Sequence, residues 1–205
     1  HIEPFCIQRQ EKGILTRDEL DKLFSIHDMS VWGSLRQYAL NLTAAMTGMR
    51  VGELLGLRVC MVQGGIITVS HSWNPKDGLK CTKTGKSREI PINANLIKLF
   101  NELAKTRSPN SYLFSDGPIP MNHKTVIMHF YNALAAIGIS SDERKKRNIT
   151  FHSYRHGFNT MLLESGMNPE TVRLLTGHNA NMTARYSHVK LSNVLIPSFQ
   201  FSLPA

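Results

Sequence analysis

Four short stretches of the sequence carry side chains whose types and spacing suit work on a phosphate. In Thr47-Gly48-Met49-Arg50-Val51-Gly52-Glu53 an arginine precedes a carboxylate by three residues, on one face of a helix start. As an isolated pair this is ordinarily a surface ion pair. As part of a site, it is an arginine aimed at a phosphate, with Glu53 orienting it. Lys80-Cys81-Thr82-Lys83-Thr84-Gly85-Lys86-Ser87-Arg88 is a basic, turn-forming stretch. Such stretches are usually solvated hairpin tips. A lysine there could also reach into a groove and donate a proton, since its pKa falls on desolvation or beside other cations. Phe151-His152-Ser153-Tyr154-Arg155-His156 sets His152 and Arg155 at i and i+3. A core histidine with an exposed arginine fits poorly with two such groups on one face and His156 adjacent. Finally, Thr176-Gly177-His178 precedes Thr183-Ala184-Arg185-Tyr186-Ser187-His188. A lone tyrosine near a helix end is more often a half-buried packing residue.

The elements that must hold these groups are mostly helical. Thr16-Arg17-Asp18-Glu19 is a capping box, and Leu20, Leu23 and Phe24 follow at helical spacing. Further helices are predicted over 35–46, from near Arg50 with Leu54, Leu55 and Leu57 as its apolar face, over 94–105 and over 122–137. Three more are predicted over 152–165, 169–176 and 181–187. Between them, 66–69 and 88–92 read as strands, with Gly64-Gly65 and Asp77-Gly78 or Thr84-Gly85 as turns. That makes a small antiparallel sheet of about three strands. Residues 112–114 are too short to classify, and Arg144-Lys145-Lys146-Arg147 is expected in a polar connector.

Composition limits the partners. The 205 residues carry 24 Lys+Arg against 15 Asp+Glu, a formal net charge of +9, with 41% hydrophobic residues. A chain of this size buries a sizeable core, and wholesale disorder is excluded. No run of about 18 apolar residues offers a membrane span. Cys6, Cys60 and Cys81 lie too far apart for a paired-ligand zinc motif, and a reducing setting fits them. The positive excess favours nucleic acid over a membrane surface.

Taken in order, the arginine with its trailing carboxylate, the hairpin lysine, the His-x-x-Arg pair, the Gly-His pair and the late tyrosine resemble the catalytic domain of the tyrosine recombinases, the phage-integrase family. The resemblance runs from about Leu15 to Val189, and Leu15-Thr16-Arg17-Asp18-Glu19-Leu20 also looks like the family's entry into this domain. It implies a mainly α fold with a small antiparallel β-sheet (α+β). It implies site-specific DNA recombination or integration through a 3′-phosphotyrosine, with Tyr186 as nucleophile and neither metal, ATP nor other cofactor. Arg50 and Arg155 would hold the non-bridging oxygens, as guanidinium forks match phosphate geometry. Lys83 would be general acid to the leaving 5′-oxygen, with Lys86 as fallback. His152 would act as general acid–base or proton shuttle, His178 as a donor to the phosphate, and Glu53 would orient Arg50 or a histidine. His156 and His188 are left without a role.

Lys80, Lys86, Arg88, Arg144, Lys145, Lys146 and Arg147 are the expected contacts to the DNA backbone, giving salt-sensitive binding. The partner is double-stranded DNA, held by a homo-tetramer (an isolated domain could be a monomer), with no membrane role and a cytoplasmic, nucleoid-associated place in a bacterial host. Residues 1–15 read as a linker or arm, 16–190 as the catalytic domain and 191–205 as a tail that family members often pass to a neighbour. The core-binding domain that usually precedes the catalytic one is not in residues 1–15, and the chain begins at His1, so a fragment is expected. The interval from His178 to Tyr186 is one residue shorter than is usual in the family, which bears on how Tyr186 is presented. Two other classes compete: a catalytically silent DNA-binding module of the same fold, and a type IB topoisomerase. The full set of named residues argues against the first, and the compact Thr-Gly-Met-Arg and Thr-Gly-His signatures with the short length argue against the second.

Overall fold

The computed structural model describes residues 13–81 and 87–177. Helix α1, Arg17–Phe24, opens on the expected box: Thr16 Oγ1 accepts from Glu19 N at 3.2 Å and Glu19 Oε2 accepts from Thr16 N at 2.8 Å. A short helix absent from the sequence reading follows, α2 over Met29–Trp32, capped by Asp28 and closed by Gly33 at φ +80°. Helix α3, Leu35–Thr47, starts at Ser34, whose side chain accepts from Gln37 N. Eleven of its thirteen residues are buried, so it is the axis of the core rather than an amphipathic flank. Thr43 and Thr47 survive there because their hydroxyls donate back to Ala39 O at 2.7 Å and Thr43 O at 2.5 Å.

Gly48 ends α3 in the left-handed region, at φ +61°. A Cβ there would also come within 2.6 Å of Phe158 Cδ1, so glycine is required twice over. The chain turns at once into α4, Val51–Leu55, with Arg50 at its N-cap.

A turn of 3-10 helix at Val59–Met61 leads to five strands: β1 Val62–Gln63, β2 Ile66–Val69, β3 His71–Asn74, β4 Gly78–Cys81 and β5 Arg88–Pro91. One three-stranded antiparallel sheet, in the order β1-β2-β5, matches the expected size. Its β2–β5 register pairs Ile67 with Ile90 on the buried face and Val69 with Arg88 at the end. The hairpin β3–β4 forms a separate two-stranded sheet, which the sequence reading did not distinguish. It docks on α4 so closely that a Cβ on Gly52 would lie 2.6 Å from Ser72 Oγ and 2.9 Å from Trp73 O.

Helices α5 Ala94–Ala104, α6 His123–Ala136, α7 Ser141–Lys146, α8 Ser153–Glu164 and α9 Pro169–Thr176 complete the described chain. The basic run is therefore corrected from connector to helix. Ser140 accepts from Glu143 N, Asp142 and Glu143 fill the first turn of α7, and Arg144, Lys145 and Lys146 the last, as the helix dipole favours. Residues 112–114 form no strand beyond an isolated bridge from Arg58 to Tyr112, but Leu113 N donates to Leu57 O at 2.9 Å and Leu113 and Phe114 are buried in the core. The helix predicted over 181–187 and the 191–205 tail lie outside the described residues. The architecture is mainly α with small antiparallel sheets, as expected. An aromatic cluster of Phe24, Trp32, Tyr38, Phe130, Phe151 and Tyr154 welds α1, α2, α3, α6 and α8 together. Among the described residues no helix is long and apolar enough to cross a membrane.

Candidate active site

Ending α3 at Gly48 and starting α4 three residues later brings the Gly48 carbonyl and the Arg50 side chain to one end of the core. The start of α8 reaches the same place, because Arg155 Nη1 donates to Gly48 O at 2.9 Å. Arg155 is 1% exposed, an unusual position for a guanidinium. Burial, and the neighbouring charges of Arg50 and Arg88, bring its pKa down to about 10 against the pull of Glu53. It stays cationic at neutral pH.

Glu53 is the hub. One oxygen, Oε2, accepts from Arg50 N at 2.9 Å and from Arg88 Nη2 at 2.7 Å. The other, Oε1, accepts from Arg50 Nη1 at 3.0 Å and from Arg88 Nη1 at 3.0 Å. Burial alone would raise the pKa of this carboxyl, but the Arg88 fork and then the Arg50 contacts outweigh it, leaving it below the ordinary value. Glu53 completes only half of a capping box. An arginine side chain has no acceptor to offer the amide of Glu53 in return, so a good N-cap has been given up at Arg50.

The remaining motif arrives from α9. Gly177 caps that helix at φ +66°, and its carbonyl accepts from Arg50 Nη2 at 3.2 Å. Arg88 Nε donates to Leu175 O at 2.8 Å. Thus the turn that leads to His178 is tied to both arginines. His152 sits exposed at the N-cap of α8, its ring 4.8 Å from that of His156 and at 81° to it. Met49, Arg50 and His152 line a cleft of 740 Å³ together with Trp73 of the β3–β4 hairpin and Tyr131 of α6.

The structure thus brings together Arg50, Glu53, His152 and Arg155. Lys83, Lys86, His178 and Tyr186, as well as His188, lie outside the described residues. Of the five tyrosines, Tyr154 is unsuited to be a nucleophile: its hydroxyl is buried against Asn41 Oδ1, and burial pushes its pKa well up. Several expected backbone contacts are placed differently from a solvated surface. Arg88 points inward to Glu53. Arg147 grips Glu19, with Nη1 on Oε1 at 2.5 Å and Nη2 on Oε2 at 2.8 Å. Arg144 lies over the Tyr131 ring, 3.9 Å from its centroid. Lys80 pairs with Asp77 at 3.0 Å, while Lys145 and Lys146 are exposed. Arg88 as a partner of Glu53 and Gly52 as the seat of the hairpin were missed. A glycine inside a helix-start motif was the available signal for the second.

Known proteins share this arrangement of sequence and fold. Residues 14–192 match the phage integrase family. A tyrosine recombinase of Pseudothermotoga lettingae is 32% identical, the match covering 89% of this chain and 58% of the relative. The tyrosine recombinase XerA of Pyrococcus horikoshii is 29% identical over 87% of this chain and 56% of its own length. Among solved structures, the Tn1549 transposon integrase in complex with a circular intermediate DNA superposes with a TM-score of 0.69 at 25% identity, over 84% of this chain and 60% of that one. A lambda integrase tetramer bound to a Holliday junction has the same fold, with a TM-score of 0.61 at 19% identity, over 85% of this chain and 49% of that one. The chain spans under two thirds of the length of each of these relatives.

Proposed function

The chain belongs to the phage integrase family, and from that premise we propose that it cuts and rejoins duplex DNA at a specific site through a 3′-phosphotyrosine on Tyr186. The observation that carries this reading is the convergence of Arg50 and Arg155, from two different motifs, around Glu53 and beside the turn leading to His178. Three guanidiniums about one carboxylate make a net cationic, preorganised pocket edge. Such an edge stabilises the extra negative charge that develops on a pentacoordinate phosphorus.

In the proposed step, Tyr186 Oη forms a bond to phosphorus and the bond to the 5′-oxygen breaks. Lys83 supplies the proton that the leaving oxygen takes up, and His152 removes the tyrosine proton. His178 donates to a non-bridging oxygen. A free 5′-hydroxyl then attacks the phosphotyrosine and restores both the phosphodiester and the tyrosine. The phosphodiester bond energy is kept throughout, so no ATP is required. Exposed Lys145 and Lys146 track the DNA backbone. The working unit is a homo-tetramer on two duplexes, in line with the lambda integrase tetramer on a Holliday junction, and it acts in the cytoplasm at the nucleoid.

A randomised library of nicked duplexes tests this without a known target. A nick just beyond the scissile bond lets the short 5′-product diffuse away and traps the covalent state. The protein should give a band of slower mobility on a denaturing gel, whose DNA, sequenced after proteolysis, converges on one site. Tyr186→Phe should give none. Absence of any adduct with the wild-type protein would leave a silent binding module.

A further inference from the structure

Arg88 stands at the first position of β5, one residue beyond the segment 82–86 that carries Lys83 and Lys86. Its side chain is only 11% exposed, and three of its nitrogens face protein acceptors: Nη1 and Nη2 the two oxygens of Glu53, and Nε the Leu175 carbonyl. The turn at Gly177 rests on the guanidinium, since a Cβ there would lie 3.0 Å from Arg88 Nη1. The same Glu53 holds Arg50 by its backbone amide and by Nη1, and Arg50 Nη2 reaches Gly177 O. One planar cation thus touches the stretch that carries Arg50, the strand leaving the Lys83 segment and the turn leading to His178. Lys145 and Lys146, the positions proposed above to track the DNA backbone, are by contrast exposed.

We propose that Arg88 is a positioning residue for the cleavage step: its fork to Glu53 and its bond to Leu175 O hold Arg50 and the Thr176-Gly177 turn in register for one phosphate. The inference rests on the DNA-cleaving reading of the site. A lysine cannot substitute, because an ammonium is a point charge without the fork that meets both carboxylate oxygens and a carbonyl. Among the described residues, the groups that face Glu53 are Arg50 from the start of its own helix, Arg88 from β5 and Arg155 from α8.

Arg88→Lys separates this role from a DNA contact. At saturating nicked duplex, single-turnover adduct formation should slow by about 10–100-fold, as expected when a reacting group is displaced by about 1 Å. The acid limb of the rate profile should move to higher pH, because Glu53 loses its best stabilising partner. DNA affinity and the slope of log K against log salt should not change. An intact saturated rate in Arg88→Lys would overturn the proposal. So would weaker binding in the charge-removing Arg88→Gln, with the slope smaller by about 1 and the saturated rate intact, which would instead make Arg88 a phosphate contact. Glu53→Gln breaks the same fork from the other side and carries the test if Arg88→Lys does not fold. It should show the same rate loss, and the double variant should be no slower than the slower single; additive losses would overturn the proposal. If the wild-type protein forms no adduct on any duplex, the cleavage reading fails, and the salt slope of Arg88→Gln still decides whether Arg88 faces inward.

Discussion

At the start of α1, Glu19 accepts from the amide of Thr16 and is gripped by Arg147; at the start of α4, Glu53 accepts from the amide of Arg50 and is gripped by Arg88. Both carboxylates sit three residues after the N-cap, and both tie a helix start to a segment far along the chain. In α1 the N-cap is Thr16, whose hydroxyl completes the box, and the clasp closes the edge of the domain against α7. In α4 the N-cap is Arg50, which cannot complete it. The first arrangement is what stability alone selects. The second gives up a capping bond to aim a guanidinium outward, 44% exposed, from a carboxylate only 3% exposed. The difference teaches where this chain departs from local optimisation, and that place is the candidate site.

The comparison can be broken or sharpened by substitution. The largest effect belongs to Arg155→Ala, which should lower adduct formation by about 10²–10³-fold, as lost oxyanion donors do elsewhere. It should also cost about 1–3 kcal/mol of stability, because the buried Gly48 carbonyl loses its donor. Single-turnover cleavage and chemical denaturation check the two effects separately.

Next come the two carboxylates. The hydrogen bond from Arg147 holds Glu19 below the ordinary value of 4.5; Glu53 ends below it as well, once Arg88 has outweighed burial. A depressed carboxyl contributes stability that is fully present above its unfolded value and is lost as pH falls from about 4.5 through the folded value. Glu19→Gln should therefore flatten the fall of Tm in acid and leave the rate profile alone. Glu53→Gln should change both. Equal effects on the rate would erase the distinction between the clasps.

Arg147→Ala is expected to lower stability by about 1 kcal/mol, or about 2–4 °C in Tm for a chain of this length, without changing the salt slope of DNA binding. A smaller slope would return Arg147 to the DNA surface. The smallest structural effect belongs to Lys145→Ala and Lys146→Ala, within about 0.5 kcal/mol, with the salt slope reduced by about 1 for each. Filter-binding titrations over a range of salt check both.

The sequence was informative where local chemistry decides the outcome. Thr16-x-x-Glu19 announced α1, and the order of short motifs led to the family and its mainly α fold. The same Ser-x-x-Glu signal stood at Ser140 and Glu143 before the basic run, and the density of charge there hid α7. Arg50, Glu53 and Arg155 could be named as site candidates because their residue types are specific. The bond from Arg155 to the Gly48 carbonyl, which brings α8 to Arg50 and Glu53, could not, since it depends on where α3 ends relative to α8. Arg88 was misread for the same reason. A basic residue beside lysines looks solvent-facing, and only the pairing of β5 with β2 turns it toward Glu53. Gly52 looked incidental until the hairpin was seen packed on it.

The most direct test of the account is Arg50→Ser, assayed for melting and for adduct formation on the same nicked duplex. Serine supplies the N-cap acceptor that arginine lacks, and Glu53 keeps Arg88. Stability should stay within about 1 kcal/mol of wild type while adduct formation falls by about 10²–10³-fold. A variant that forms adduct at the wild-type rate would contradict the claim that Arg50 is placed at this helix start to hold a phosphate.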